Sequence, residues 1–444
     1  MMTSIQPATQ PQPTFTTLRA GSSTESTSFD KLLRAWKNLQ VSYYGGKYSI
    51  ERLLALEEYA RKTKLLRAIC VCIGTPIPTA ALVVIQESIP LQDPTKGWRE
   101  NYGFWIRAAI LAMLMACVVV GQMRYFIDGI TLSWSRELLF SVCTAAVFTV
   151  IAAFVSAHLL FPVPFFVLTL APLFYTSYIV VFRILAGGRI FQHILASRVE
   201  FFRYIKFLVA ENVVACTYPA YEALFRLAQG THCQLPVIFL LPITKMALKN
   251  MMLQCAVQME DMTPEAVIFT VDFFNAVYVS SCMQSATSLV SVVAIIATDL
   301  PQTAFMLLAL GESLETLFSL ECIVVTAYLE AVTPIFYCCY VLVMVHLPSS
   351  QYHMELTGIT SDNAGSKVQS LFVFGLFQIA SFVVLALVIK RNCGIHALQH
   401  LAFVFETQTS LVQGKLMGWM VITLCFRVVH FGVDFTFQFC NLMN

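Results

Sequence analysis

Residues 138–182 read LLFSVCTAAVFTVIAAFVSAHLLFPVPFFVLTLAPLFYTSYIVVF, a run without a single Asp, Glu, Lys or Arg. A membrane span takes about 20 predominantly apolar residues, so this run accommodates two spans and a turn. Pro162 and Pro164 place the turn, because neither has an amide hydrogen to offer a helical ladder. The stretch predicts a tight transmembrane hairpin. With it comes the fold class: all-α, a polytopic transmembrane helical bundle.

The rest of the chain agrees. Of 444 residues 57% are hydrophobic and 12% are Asp, Glu, Lys or Arg, about half the charge content of an ordinary soluble domain. A soluble chain of this length needs a charged shell, so much of the surface is expected to face lipid. The net charge of +2 matters less than its distribution: residues 1–67 hold ten Lys or Arg against five Asp or Glu, whereas 250–389 hold one, Lys367. Lys and Arg near span ends are retained on the cytosolic side, which predicts a cytosolic N-terminus. The beginning, MMTSIQPATQPQP, lacks the apolar core of a cleavable signal, so the first span is expected to direct its own insertion. Cys117, Cys143, Cys282, Cys338, Cys339 and Cys425 lie in apolar runs, where a thiol packs as a small hydrophobe.

Five regions follow. Residues 1–28, rich in Ser, Thr, Pro and Gln, predict a disordered tail. Residues 29–67 predict cytosolic amphipathic helices, the second capped by Ser49 and ending in Arg61, Lys62, Lys64 and Arg67, a composition suited to an anionic leaflet. Residues 68–182 hold four spans: 68–86, interrupted at Thr75, Pro76, Ile77 and Pro78; 104–123, with Arg107 placed to snorkel to the headgroups; and the hairpin. Residues 183–234 read as an Arg-rich cytosolic linker in which 190–210 forms one interfacial amphipathic helix. Residues 235–444 hold the remaining spans, near 235–257, 265–310, 317–345, 368–389 and, weakly, 416–439. Thr263, Pro264 and Glu265 form a helix start; the long run after it is one helix or two, divided near Asp299 and Pro301, with one net crossing favoured by parity. The expected total is eight to ten spans, without an internal repeat.

Several strings occur in order: GKYSIERLLAL at 46–56, TPIP at 75–78, IPLQDP at 89–94, Gly97 with Trp98, FWIR at 104–107, LPITK at 241–245, FNAVY at 274–278, CMQ at 282–284 and ECIV at 321–324. As an ordered set they resemble a large family of multi-pass membrane proteins expanded in oomycetes such as Phytophthora. The resemblance implies an oomycete origin and a membrane location. It carries no activity, so no functional residue is transferred from it.

Groups able to carry chemistry concentrate after residue 240. A charge at the centre of a span costs about 2.5–3.5 kcal/mol on insertion scales, so it needs a partner or a polar cavity. Lys245 and Lys249 share one helical face, as do Asp272 and Asn275 on the next helix. Pairing of Asp272 with a lysine would offset both desolvation costs. Glu321 and Glu330, nine residues apart, point to opposite faces of their helix and cannot form a carboxylate pair there. These six are the candidates for an ion or substrate pathway or for buried ion pairs.

Zinc-protease, nucleophile-elbow and phosphate-loop motifs are absent from the sequence. Cys393, His396 and His400 lack a fourth metal ligand, and Gly414 and Gly418 form a GxxxG weakened by Lys415. Neither catalytic residue, metal nor cofactor is expected. The bilayer is the expected partner, with no nucleic acid; protein partners and oligomeric state stay open. Two functions remain, a transporter or channel-like protein using the six candidates, and a non-transporting scaffold or receptor acting through its cytosolic segments.

Overall fold

The computed structural model describes residues 49–127, 129–130, 133–228, 231, 233–256, 262–285 and 316–432. The tail at 1–28, the first amphipathic segment, the division near Asp299 and the end of the weak last span lie outside these residues. What is described is an all-α bundle, with one isolated β-bridge between His353 and Val428.

Helix α1 (Ile50–Lys62) starts where Ser49 accepts a hydrogen bond from the Arg52 amide, 3.2 Å. The first span is broken at its prolines into α2 (Leu65–Gly74) and α3 (Ile77–Ser88). Then come α4 (Tyr102–Phe126) and α5 (Trp134–His158), the proline turn, a single helical turn at Phe166–Thr169, and α6 (Ala171–Leu185). Gly432 closes on that turn: a Cβ there would stand 2.3 Å from the Val163 carbonyl oxygen, and its own carbonyl accepts from the Phe165 amide at 3.1 Å. Only glycine leaves room for the backbone to come so near.

The amphipathic region differs from the sequence reading. It forms two helices, α7 (Gly187–Ala196) and α8 (Arg198–Ala228), divided at Ser197. The first turns of α8 carry Arg198, Glu200 and Arg203, but from Tyr204 onward one face is buried against α4, α9 (Gln234–Ala256) and α10 (Thr263–Ser285). Tyrosine hydroxyls fasten it there, Tyr204 to the Val119 carbonyl at 2.7 Å and Tyr221 to the Val237 carbonyl at 3.1 Å. The segment read as a linker is thus a bundle helix.

The remaining helices are α11 (Thr316–Met344), α12 (Ala364–Cys393), α13 (Ala397–Thr407) and α14 (Thr409–Met420). The weak last span ends its α-helix at Met420 and passes through a π-helical turn, Val421–Cys425. Gly414 and Gly418 face α4, where an added Cβ would make ordinary contact with the Val118 methyl at 3.7 and 3.5 Å, while Lys415 is buried within the protein.

Arg52 contacts Glu265 and Glu321, each near the start of its helix, so α10 and α11 begin at one end of the bundle and run parallel. His353, beyond α11, meets Glu87 at the end of α3, which defines the opposite end. Ser285 and Thr316 therefore lie at opposite ends, and the division expected between Glu265 and Gly311 falls on residues outside those described.

Among the described residues seven helical segments are long and apolar enough to cross a membrane: Leu65–Ser88, Tyr102–Phe126, Trp134–His158, Gln234–Ala256, Thr263–Gln284, Phe318–Met344 and Ala364–Asn392. The expected number is eight to ten; α6 (Ala171–Leu185) is a further, shorter apolar helix beside these seven. α10 is central: its apolar window is 100% buried, against 22% for that of α12, which faces outward. α10 is enclosed by α8, α9, α11, α12 and α14.

Candidate functional site

The polar residues of α10 include Glu265, Thr270, Asp272, Asn275, Ser280, Ser281 and Gln284. Successive residues turn by about 100°, so these point in all directions, and several meet a different neighbouring helix. Midway along, Asp272 receives two lysines from α9: Lys249 Nζ at 2.7 Å and Lys245 Nζ at 3.3 Å. Lys245 also reaches Glu330 of α11 at 2.7 Å, and the Thr326 hydroxyl donates to Asp272 at 3.3 Å. Two ammonium groups face two carboxylates. Asn275 is buried nearby, and its Oδ1 has no hydrogen-bond partner among the described residues.

Glu321 is not part of that cluster. Because it lies opposite Glu330 on α11, and α11 is itself packed on two sides, it meets a second group one level away, where Arg52 Nη2 bridges Glu265 and Glu321 at 2.7 Å each and His400 Nε2 lies 2.7 Å from the other Glu321 oxygen. Arg52 stacks on Phe403, 5.6 Å from its centroid. His400 is thereby committed to a carboxylate, and no cluster able to hold a metal occurs among the described residues.

Three further ionic groups were not legible in the sequence. Arg107 does not snorkel: it is wholly buried, paired with Glu87 at 2.9 Å and donating to the Glu87 and Ile89 carbonyls, with His353 on the same carboxylate at 3.2 Å. Glu222 is held by Arg226 at 2.8 Å, Arg427 at 3.2 Å and the Ser281 hydroxyl at 3.2 Å, and Arg427 continues to Glu355 at 2.8 Å. Lys415 pairs with Glu211, donates to Thr270 at 3.0 Å and lies over the Phe207 ring. Each needs partners from helices remote in sequence, which spacing along one helix does not reveal.

Outside the spans, the Asp93 carboxyl between α3 and α4 is held below its ordinary range by the Thr95 hydroxyl, with help from the Thr95 amide.

Beside these groups lies a cavity of about 570 Å³ bounded by α4, α6, α8, α10, α14 and the turn at Phe166–Thr169. Its walls are mostly apolar, with Gln122, Glu211, Asn212, Glu222 and Arg427 among them. The wall reaches the outer surface at Leu168, Leu224 and Leu227, which are 45%, 42% and 68% exposed. α6 and α8 meet there through little besides the hydrogen bond from Asn212 to the Tyr175 hydroxyl, 3.0 Å. None of Lys245, Lys249, Asp272, Asn275, Glu321 and Glu330 lines the cavity. The six lie in the polar core behind it.

Comparison of the chain with protein-family models, with curated proteins and with solved structures returned no match.

Proposed function

We propose that this multi-pass membrane protein is a transporter that admits an apolar or amphipathic molecule from the bilayer into the cavity between α4, α6, α8 and α14. The observation that carries this reading is the cavity itself, in the range of about 300–1,000 Å³ that suits small-molecule sites, with walls that continue onto the lipid-facing surface. Irregular backbone at membrane depth is tolerated where it lines a cavity, and the interrupted elements do so here: Pro219 of α8, Phe165 to Leu168 of the short turn, and Ile422 and Thr423 of the π-helical turn all border it.

The same reading places the Arg52 end in the cytosol. That end carries Arg61, Lys62, Lys64, Arg67, Arg183, Arg189, Arg198, Lys390 and Arg391, whereas the exposed basic residues of the other are few, Lys96, Arg99 and Lys367 among them. This is the asymmetry that orients membrane proteins.

The experiment is transfer of a fluorescent single-chain amphiphile between leaflets of proteoliposomes, read by quenching the outer leaflet. The wild-type protein is expected to accelerate transfer and Ala223→Trp, which fills the mouth, to slow it severalfold. Transfer at the rate of protein-free vesicles overturns transport. Retained binding without transfer would favour a receptor.

A further inference from the structure

Of the buried polar side-chain atoms on the cavity wall that lack a hydrogen bond among the described residues, Arg427 Nη2 is ion-paired with Glu222 at 3.2 Å, which leaves two without a partner: Gln122 Oε1 and Trp419 Nε1. Their residues are 3% and 5% exposed. The Gln122 amide is oriented by its neighbour, because Nε2 donates to Glu211 Oε1 at 3.0 Å and an ionised carboxylate only accepts. This leaves the amide oxygen as the open group. The indole N–H is a donor and nothing else. Both belong to residues grouped around the Glu211–Lys415 pair: Gln122 bonds to the glutamate, and Lys415 Nζ lies 5.5 Å from the centroid of the Trp419 ring. The wall of this apolar chamber thus carries one buried acceptor and one buried donor, the complement of a hydroxyl, which gives one hydrogen bond and takes another.

Charge excludes the alternatives. Every ionised group on the wall already has a counter-charge: Glu211 has Lys415, Glu222 has Arg226 and Arg427, and Arg427 also has Glu355. A ligand bearing a carboxylate, phosphate or ammonium would enter a neutral apolar chamber with its charge unpaired, which disfavours its binding. Two buried polar atoms without partners each carry a desolvation penalty that a hydroxyl would relieve.

From this geometry we infer that the cavity binds a neutral, hydroxyl-headed amphiphile drawn from the bilayer, its hydroxyl donating to Gln122 Oε1 and accepting from Trp419 Nε1 while its hydrocarbon body extends toward Leu224. This assignment rests on the cavity being the substrate chamber.

The test is binding of radiolabelled 1-hexadecanol to the full chain in lipid nanodiscs, with hexadecanoate and hexadecyltrimethylammonium as competitors. The alcohol is expected to bind, unlabelled alcohol to displace it, and the two charged analogues to displace it poorly. Gln122→Leu and Trp419→Phe each delete one hydrogen bond while keeping the size of the side chain or the ring, and each is expected to weaken binding about five- to tenfold. Trp419→Phe keeps an aromatic ring against Phe274, 5.0 Å away in the wild type, and thermal unfolding shows whether each variant is folded. If both variants are folded and bind like wild type, or the charged analogues displace the alcohol as well as it displaces itself, the hydroxyl seat is overturned. Ala223→Trp separates the two readings: binding of the alcohol that is insensitive to Gln122→Leu, Trp419→Phe and Ala223→Trp overturns the cavity as the chamber, whereas binding sensitive to all three without leaflet transfer leaves the seat standing and removes only transport.

Discussion

Lys249 Nζ stands 2.7 Å from Asp272 Oδ2, joining two antiparallel helices at mid-depth where neither side chain is exposed by more than 5%. Deleting one member of such a pair leaves an uncompensated buried charge, at a cost of about 3–5 kcal/mol. Asp272→Asn is expected to lose that much stability in detergent, read by thermal unfolding with size-exclusion chromatography. Asp272→Asn combined with Lys249→Met keeps Lys245 against Glu330 and restores neutrality, so it should recover most of the loss. A double variant as unstable as the single one would remove charge balance as the explanation.

The Arg52 group is built differently, with one guanidinium between two carboxylates. Arg52→Gln strands both acids and is expected to destabilise by about 3–5 kcal/mol. Glu265→Gln leaves one carboxylate for one guanidinium and should cost no more than about 1 kcal/mol, the net worth of one hydrogen bond. The order of the two midpoints in denaturant decides the matter, and the reverse order contradicts the geometry.

Arg107 makes hydrogen bonds from three nitrogens to Glu87 and to two main-chain carbonyls. An ammonium at the end of a flexible stem cannot reproduce that fork. Arg107→Lys should therefore lose about 2 kcal/mol despite keeping the charge, at roughly 1 kcal/mol per hydrogen bond forgone. Equal thermal stability of the lysine variant would show the carbonyl contacts to be dispensable.

Asp93 is expected to make its loop sensitive to acid. A carboxyl whose folded value is depressed contributes order above its unfolded value, about 3.9, and that contribution is lost as pH falls through the lower folded value. Hydrogen exchange at the Thr95 amide, corrected for its intrinsic pH dependence, should accelerate below about pH 4. Asp93→Asn should show no such step.

Sidedness has its own check. Thr360 and Lys62 are exposed near opposite ends of the bundle. In intact cells a membrane-impermeant maleimide should label Thr360→Cys and spare Lys62→Cys. The opposite pattern inverts the orientation.

What could be read in advance followed from constraints acting along one stretch of chain. The break at Thr75 and Pro76, the turn at Pro162 and Pro164, the cap at Ser49 and the helix start at Thr263 all follow from local rules of donors and dihedrals. Asp272 and the two lysines were legible because a buried charge needs a partner and adjacent helices pack together. Arg52 gave no such sign: it lies in a short helix with charged neighbours, and its partners are 213 and 269 residues away. Arg107 was misread because nearness to a span end suits snorkelling equally well, and α8 because its basic first turns outweigh the apolar ones behind them. The cavity escaped altogether, since its wall is assembled from separate helices by shape.

The enclosure of α10 has a consequence for biosynthesis. Carrying Asp272 and Glu265 and having no face matched to hydrocarbon, it is a poor candidate for leaving the insertion channel alone. α9 precedes it directly, bearing the two lysines that neutralise Asp272. The pair is expected to insert as one hairpin, so a glycosylation reporter placed after α10 should record efficient insertion of α9 with α10 and poor insertion of α10 by itself, and Lys245→Glu should damage the topology of every helix made after it.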